Sequence, residues 1–452
     1  MGAWWEELAS RDLFKGQRPE PSALDQQLFD DGLRHEELLI KKFEKQGFRV
    51  AHLAGKQRES DYSDTKEAMA DGYDFIWQAS LSNDEMRGSA DLLRRVDGSS
   101  SFGDWSYQPI ECKLASKAKT TFLVQASAYC ELLTPILNKR PESFELYLGG
   151  EQFRKFSTEK FWAWYQLLRK RYRNFRESFD PNVIPQDTPG DHGSWTAFIE
   201  ERLEASRDLV LVANMRQTQR LKFKQAGIHT IDDLAALPDQ VHIQGLNRDA
   251  LNDLRQQAKL QVTPKDENGR PVFNVRKIIE GKGLTTLPKS DHGDIWFDLE
   301  GVQDPVLGTQ LEYLIGLEYR DTPGGSPFYK AWWAHSPLEE KKAFEDWVNW
   351  VEQRRLEYPG LHVYHYGNYE KAAIRRLAQQ YSTKEVVVDQ WLRSELLIDL
   401  LPIVKGSIVL GEDSYSIKKV EKLYMDPRDA DVKTAGDSVV AYRNWLASGE
   451  PT

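Results

Sequence analysis

Three segments in the first third of the chain decide how its fold is interpreted: RGSADLLRRV (87–96), YQPIECKLA (107–115) and QASAYCELL (125–133). In the second segment Glu111 and Lys113 are two residues apart, so in a β-strand both side chains lie on one face. Ionised side chains within an apolar strand are uncommon unless they are paired or have a chemical task. Alone, the pair also fits a salt-bridged edge strand, so its interpretation depends on the residues around it.

Acidic and polar residues near this pair extend the pattern. Asp91 follows a run of small residues, and together with Glu111 it could hold a hard cation such as Mg²⁺, which prefers carboxylate oxygens. Lys113 could then orient a water molecule or stabilise charge that develops on a phosphate. Gln125 and Tyr129 are four residues apart, so they lie on one face of a predicted helix.

A histidine far upstream completes the set. His35 lies in the segment GLRHE (32–36), close to the apolar stripe of a helix predicted over residues 24–46. A lone histidine in such a place is normally a hydrogen-bonded core residue, so its interpretation depends on the downstream residues. The candidates in chain order are His35, Asp91, Glu111, Lys113, Gln125 and Tyr129. Their order and spacing resemble the RecB-type branch of the PD-(D/E)XK nuclease superfamily.

This resemblance implies a restriction-endonuclease-like α/β fold and a role for each candidate. The residues that would bind Mg²⁺ or Mn²⁺ are His35, Asp91 and Glu111. The catalytic residues would be Lys113, Glu111 and Asp91. The residues beside the DNA would be Gln125 and Tyr129. The implied function is a metal-dependent nuclease that hydrolyses DNA phosphodiester bonds in repair, recombination or nucleic-acid processing.

Basic and aromatic side chains alternate through residues 151–176, a composition that suits a track for single-stranded nucleic acid. Within this segment Arg169, Lys170 and Arg171 are predicted to bind nucleic acid. An amphipathic helix with a solvated basic face explains the same composition equally well. The net charge of −10 argues against coating nucleic acid by bulk charge, but basic residues can act locally.

The composition is that of a soluble globular protein with more than one domain. The chain has 452 residues, of which 40% are hydrophobic and 29% are charged. No apolar run approaches the length of a membrane span and the first residues lack a signal-peptide core, so we expect a cytoplasmic protein.

The two cysteines of the chain, Cys112 and Cys130, argue against a disulfide framework. Related proteins carry iron–sulfur cysteines near the region matched by 180–215, which has none here, so we expect no cluster.

Residues 179–262 are predicted to form a linker and a helical connector. Within it AGIHT (226–230) and IQGLN (243–247) each place a glycine turn before a helix, with Thr230 and Asn247 as N-cap candidates. This resembles a helix-hairpin-helix module, whose backbone N–H groups can bind a DNA phosphate. A purely structural spacer is the alternative, because acidic residues near the first turn weaken phosphate binding.

The segment DIWFDLEG (294–301) opens the last domain, which is predicted over residues 285–452. The expected order of three strands, a helix, a strand and a helix resembles a ribonuclease H-like exonuclease, in particular its YprB-like branch. The acids that match that family, and that would form a second site, are Asp298, Glu300 and Glu370.

The second site is expected to be incomplete. In the family the fourth acid lies just past the segment matched here by residues 438–446, and the chain stops at Thr452. Asp399 and Glu421 are interpreted as structural rather than as metal ligands. We therefore expect a C-terminally truncated domain that contributes little cleavage.

The whole chain is thus predicted to contain a RecB-like nuclease domain over residues 1–178, the connector, and the ribonuclease H-like domain. The expected partner is DNA that is single-stranded or has single-stranded ends. Related proteins often continue into a helicase, and no GxxxxGK[ST] sequence occurs here, so a helicase partner is implied. Two alternatives stay open: a non-catalytic DNA-binding subunit, and an RNA-processing exonuclease that uses the C-terminal domain.

Overall fold

A computed structural model describes residues 1–16, 19–21, 23–53, 63–303, 310–322, 324–426 and 435–448. These residues combine helices with three β-sheets of six, five and two strands. Among the helices of these ranges, none has the length and apolar character needed to cross a bilayer. The polar and acidic composition of residues 54–70 predicts a loop. Residues 54–62 lie outside the described residues, and residues 63–70 form a helix, so the prediction is wrong for that part.

The N-terminal region is a mixed sheet with helices on both faces. Its elements are α1 (Gly2–Ser10), α2 (Ala23–Lys45), β1 (Val50–His52), α3 (Ser63–Ala70), β2 (Phe75–Ser82), β3 (Arg87–Ser100), β4 (Gly103–Lys113), α4 (Thr120–Leu137), β5 (Ser143–Leu148), β6 (Gln152–Ser157) and α5 (Thr158–Glu177). The strands are ordered β1-β2-β3-β4-β5-β6; β1 is parallel to β2 and β4 to β5, and the other pairs are antiparallel.

One face of this sheet packs against α2, and the opposite face packs against α3 and α4. Leu39 and Ile40 of α2 pack with Leu92 and Ile110 on one face. Leu132 and its neighbours in α4 pack with the residues of the opposite face. Ile110 and Cys112 of β4 pack on the α2 side, so strand alternation turns Glu111 and Lys113 to the other face. The Asp91 carboxylate of β3 is held beside them by the Cys112 backbone N–H.

Two local predictions for this region are wrong. The sequence predicts a flexible connection over residues 97–106, but β3 and β4 continue through them as one long hairpin with a tight turn at residues 101–102. The helix predicted to end before Pro135 continues to Leu137 with the proline inside it. A proline in the last turn removes one hydrogen bond, and burial of Ile136 and Leu137 in the core offsets that loss.

The connector is a small helical unit. Its regular elements are α6 (Thr196–Ala205), α7 (Gln217–Gln225), α8 (Ile231–Ala236), α9 (Arg248–Val262) and β7 (Phe273–Val275). Both predicted N-caps are confirmed, since Thr230 accepts from the Asp233 N–H and Asn247 from the Asp249 N–H. Gly227 and Gly245 have φ of +82° and +76°, so each turn uses a conformation that favours glycine.

The C-terminal region contains a five-stranded sheet in the order β10-β9-β8-β11-β12. Its elements are β8 (Ile295–Gln303), β9 (Gln310–Tyr319), β10 (Phe328–Trp333), α10 (Pro337–Glu357), β11 (Val363–His365), α11 (Tyr369–Gln380), α12 (Glu385–Arg393), β12 (Leu397–Asp399), α13 (Leu400–Ser407), β13 (Ile408–Leu410), α14 (Ile417–Val420) and α15 (Ala435–Ser448). The predicted order of three strands, helix, strand and helix is confirmed. β13 pairs with β7, which ties this region to the connector.

Candidate functional site

A cavity of about 1070 Å³ lies between α2 and the ends of strands β2, β3 and β4. Its walls differ in chemistry. The apolar wall comes from α2 and includes Leu28, Phe29 and Leu33. The polar wall includes Glu36, Gln78, Arg87, Asp91, Lys113 and Gln125. Three of the residues expected from the sequence therefore line one cavity: Asp91, Lys113 and Gln125.

Asp91, Glu111 and Lys113 form a tight charged group beside this cavity. The Lys113 ammonium makes a close ion pair with Glu111 and lies 3.9 Å from Asp91 Oδ2. The Cys112 backbone N–H donates to Asp91 Oδ2 at 2.8 Å, which fixes the carboxylate against β4. The structure thus brings together the acid pair and the lysine that the strand spacing suggested.

Burial sets the protonation of this group. It raises the pKa of Glu111 to about 8. The negative charge of Asp91 raises this pKa further, and the positive charge of Lys113 lowers it only in part. Burial also raises the pKa of Asp91 against the opposing influence of Lys113. The two carboxylates raise the pKa of Lys113, although its own burial lowers it. One ammonium does not fully compensate two buried carboxylates, so the group favours an additional cation or a retained proton.

The donor set is suited to a divalent cation. Glu111 is fully buried, and apart from the close contact with Lys113 neither of its oxygens receives a hydrogen bond of normal geometry within the described residues. Within these same ranges, no three His, Cys, Asp or Glu side chains are grouped closely enough to surround an ion. Mg²⁺ commonly uses one or two carboxylates and keeps several waters, so Asp91 and Glu111 fit it as a pair.

His35 does not face the cavity. Its ring is buried and stacks on Tyr147, with centroids 4.6 Å apart and planes 14° apart. Burial lowers the pKa of His35, as expected for an imidazole on the core side of α2. His35 thus packs against Tyr147, its buried Nε2 has no hydrogen-bond partner within the described residues, and its role as a metal ligand stays a prediction.

Glu36 occupies the cavity side of the same helix. Its Oε2 accepts from Trp77 Nε1 at 3.0 Å and from Gln78 Nε2 at 2.6 Å. Burial raises the pKa of Glu36 to about 7, and the charge of Asp91 adds to the rise. Sequence reasoning missed this residue even though it lies beside His35 in the quoted segment, because the apolar stripe alone does not fix the rotation of α2.

Gln125 and Tyr129 share one face of α4, as predicted. Gln125 Nε2 donates to the Tyr129 hydroxyl at 3.0 Å, and that hydroxyl donates to the Ser89 carbonyl at 2.7 Å. Tyr129 is buried, so its visible task is to anchor β3 next to Asp91. Gln125 lines the cavity and is the member of the pair that a ligand could reach.

The basic segment needs one correction. Arg169 was predicted to bind nucleic acid, but its guanidinium is buried and donates to Glu85 at 2.6 Å and to Glu131 at 3.2 Å. A cation already paired with two carboxylates is not available to a phosphate. Lys170 and Arg171, in contrast, are exposed on α5 and stay candidates.

A second acidic group lies in the C-terminal sheet. Asp298 and Glu300 are on β8, and Glu370 is in the first turn of α11. Desolvation raises the pKa of Asp298 to about 6, and the nearby carboxylates of Glu370 and Glu300 add to the rise. Buried His365 places Nδ1 3.3 Å from Glu370 Oε2. Asp399 caps α13 and accepts from the Gly367 N–H at 2.8 Å, contacts of the structural kind expected from the sequence.

Gly301 lets side chains of β9 and α11 approach the backbone of β8 beside this acidic group. The pairing of β8 with β9 shifts between Glu300 and Gly301. A Cβ at Gly301 would lie 2.2 Å from Glu312 Oε2 and 2.8 Å from the Tyr369 hydroxyl. Only glycine fits at this position without displacing the neighbouring side chains.

Residues 295–452 match the RNase_H_2 family model of the RNase H superfamily. The C-terminal region is therefore an RNase H-like domain within a mixed α/β protein. Such a domain indicates nuclease activity in general terms, and with it binding to nucleic acid. A search of curated proteins finds no match to the chain. The match starts at β8, so the assignment of the N-terminal region stays a prediction.

Proposed function

We propose that this chain is a divalent-cation-dependent nuclease that hydrolyses DNA phosphodiester bonds at Asp91, Glu111 and Lys113. The observation that carries the proposal is the convergence of these side chains beside one cavity. The RecB-like PD-(D/E)XK assignment of residues 1–178 is part of the proposal. It is supported by an antiparallel β2-β3-β4 unit followed by α4 and a strand parallel to β4.

The residues of this site would divide the work. Asp91 and Glu111 would hold Mg²⁺ or Mn²⁺, which supplies an activated water and stabilises charge on the phosphate. Lys113 would donate to a phosphate oxygen as negative charge increases there. Gln125 would hold the strand, while Tyr129 keeps the backbone of Ser89 in place.

The apolar wall of the cavity supports a single-stranded substrate or a single-stranded end. Phe29 is 65% exposed, and Leu28 and Leu33 are also exposed although they line a cavity with charged groups. Exposed aromatic and aliphatic side chains opposite cations suit unstacked bases, whose faces are hidden in a duplex. Arg87 on the polar wall adds a donor for the backbone phosphates.

The RNase H-like domain carries a second candidate activity. Asp298, Glu300 and Glu370 would form an exonuclease centre, and the family match favours this assignment. The substrate of that centre would be RNA or DNA. Its role would be nucleic-acid processing or DNA repair in the cytoplasm, and its partner would be a helicase. We propose that it contributes less cleavage than the N-terminal centre.

One assay tests both centres. Labelled single-stranded DNA, duplex DNA and RNA are incubated with and without Mg²⁺ or Mn²⁺, using wild type, Lys113→Ala, Asp298→Ala and the double variant. We expect Lys113→Ala to lose cleavage of single-stranded DNA by at least about 10²-fold, because a donor to developing charge is removed. Wild-type rates in Lys113→Ala would contradict the proposal. Residual cleavage in Lys113→Ala that disappears in the double variant would assign that activity to the RNase H-like domain.

A further inference from the structure

We propose that Gln78 is a positioning residue of the site at Asp91, because its left-handed backbone conformation reverses the side-chain alternation of β2 and β3 where Asp91 meets the cavity. The inference rests on the proposed nuclease function and names a further residue of that same site. Gln78 would act through the placement of the Asp91 carboxylate and not on the phosphate itself.

The side chains of β2 change sides at Gln78. Phe75 and Trp77 pack in the cluster formed with α2. Ala79 and Leu81 pack in the cluster of the opposite face, formed with α4. All four residues have odd numbers, so regular strand alternation would place them on one face. The alternation is therefore interrupted between Trp77 and Ala79, where Gln78 lies.

The neighbouring strand β3 reverses at the same level of the sheet. Ala90 packs in the cluster formed with α4, whereas Leu92 packs in the cluster formed with α2. Both numbers are even, so the reversal in β3 lies at Asp91. The strand register pairs Ala90 and Leu92 with the β2 residues on either side of Gln78, which places Gln78 opposite Asp91. The two strands therefore reverse together, at this pair.

The backbone of Gln78 explains the reversal. Its φ of +56° is a left-handed conformation in the middle of β2. One left-handed residue changes the direction of the strand pleat, as bulges do where they re-aim a side chain beside a functional site. A residue with a Cβ rarely adopts this conformation unless its surroundings hold it there. The Gln78 amide supplies such a hold, since Nε2 donates to Glu36 of α2 at 2.6 Å and Oε1 accepts from the Ser89 hydroxyl at 3.2 Å.

The reversal sets the contacts of Asp91. The ladder between β3 and β4 reaches the pair of Leu92 and Ile110, and Asp91 lies one residue beyond it. There the Cys112 backbone N–H donates to Asp91 Oδ2 at 2.8 Å, so a carboxylate takes the place of a backbone acceptor. The same oxygen lies 3.9 Å from the Lys113 ammonium. A β2 strand with regular alternation would carry Asp91 away from both donors, because paired strands share one pleat.

Substitutions at Gln78 separate the role of its backbone from that of its amide. Gln78→Gly keeps the left-handed conformation without strain but removes the amide, and Gln78→Asn tolerates the conformation and keeps a shorter amide. Gln78→Val favours an extended backbone and resists the left-handed one. Ser99→Val, at an exposed position of β3, is the control for placing valine in this sheet. Thermal unfolding shows that each variant is folded, and Gln78→Ala, a smaller change that also disfavours the left-handed backbone, replaces Gln78→Val if valine prevents folding.

The first measurement needs no nuclease activity. Hydrogen–deuterium exchange, followed by mass spectrometry of fragments that contain Cys112, reports whether its N–H still bonds Asp91. Asp91→Ala removes the acceptor and gives the exchange rate of the unbound amide. We expect Gln78→Val to speed this exchange by at least about tenfold, and Gln78→Gly, Gln78→Asn and Ser99→Val to change it less than about threefold.

The second measurement is steady-state cleavage of labelled single-stranded DNA with Mg²⁺ or Mn²⁺. A displacement of the Asp91 carboxylate should lower kcat on the order of 10²-fold in Gln78→Val while KM changes little. Gln78→Gly should stay within about tenfold of wild type, because the carboxylate keeps its place. A general loss of folded protein would instead lower the apparent activity without regard to the state of the Cys112 amide.

The outcomes separate this inference from the function on which it rests. If Gln78→Val leaves the exchange of the Cys112 amide as in wild type, the backbone of Gln78 does not place Asp91 and the inference is overturned. If Gln78→Gly speeds the exchange as much as Gln78→Val, the amide and not the backbone is responsible, and the inference is overturned as well. If the exchange follows the expectation but Asp91→Ala and Lys113→Ala cleave like wild type, the proposed function fails while the placement of Asp91 by Gln78 stands.

Discussion

Arg169 and Lys170 are neighbours in α5, yet the structure gives them opposite tasks. Arg169 is buried between Glu85 and Glu131, whereas Lys170 is exposed. We expect Arg169→Gln to lower the free energy of unfolding by about 2–3 kcal/mol, because two carboxylates lose a partly buried cation. The matched variant Lys170→Gln should stay within about 0.5 kcal/mol of wild type. Urea unfolding of both variants checks this, and equal stabilities would contradict the ion pairs.

The exposed cations of the same helix give a prediction about binding. Replacing Lys170 and Arg171 together by glutamine should weaken single-stranded DNA binding without loss of stability. Each lost phosphate contact should reduce the slope of log affinity against log salt by about 0.7. Fluorescence anisotropy over a salt series measures the slope. An unchanged slope would mean that these cations belong to a solvated helix face.

Single residues also show where sequence reasoning stops. The shared face of Glu111 and Lys113 followed from strand alternation, which has only two possible directions for a side chain. A helix can be rotated continuously about its axis, so the sequence could not decide which of His35 and its neighbour Glu36 lines the cavity. Nor could it show the pair of Arg169 with Glu85, because these residues are 84 positions apart and meet only in the folded chain.

Among the elements, those with clear periodicity were predicted best. The helix predicted over residues 24–46 is present as Ala23–Lys45, and the strand predicted to carry Glu111 and Lys113 is present as Gly103–Lys113. Pro135 and the glycine- and serine-rich hairpin of residues 97–106 were misjudged, because local propensity favours a break and tertiary packing overrides it. In the connector, Asp233 accepts from the backbone N–H groups of His229 and Thr230. These are the donors of the first turn that would otherwise bind a DNA phosphate.

Glu412 joins the connector to the elements after β13, and its environment predicts a pH effect. Burial raises the pKa of Glu412, but Lys422, Lys419 and Lys265 outweigh it and hold the pKa below its usual value. A carboxyl with a lowered folded pKa stabilises the fold above its unfolded pKa, and that contribution is lost as the pH falls through the folded pKa.

We therefore expect Glu412→Gln to destabilise the protein by about 1–2 kcal/mol at pH 7, with a difference that shrinks below pH 4.5, the ordinary value for this carboxyl. Exposed Glu267→Gln is the control, and its stability should follow wild type at every pH. Thermal unfolding from pH 3 to pH 7 measures both variants. A difference that grows on acidification would contradict this assignment of the charges.

At the scale of the whole molecule, α15 connects the two candidate centres. The Tyr442 ring of α15 stacks on Tyr313 of β9 at 3.9 Å, and Ser438 lies 2.6 Å from the Tyr313 hydroxyl. Arg443 on the same helix makes a close ion pair with Asp31 of α2, the helix that carries Glu36. The α15 helix thus contacts both the RNase H-like sheet and the wall of the N-terminal cavity. No local sequence pattern could predict this, because the partners are 412 positions apart.

The ion pair between Asp31 and Arg443 gives the last prediction. Both side chains are mostly shielded, with 19% and 15% exposure, and Arg443 also donates to the Gln303 carbonyl at 3.1 Å. We expect a double-mutant cycle of Asp31→Asn and Arg443→Gln to give a coupling energy of about 1–3 kcal/mol in thermal or urea unfolding. Exposed Asn444→Ala, paired with Asp31→Asn, is the control and should give no coupling. Because the pair joins α2 to α15, its loss should also separate the unfolding of the N-terminal region from that of the RNase H-like domain in calorimetry. A coupling energy near zero, with a transition shape like that of wild type, would show that this ion pair does not couple the two regions.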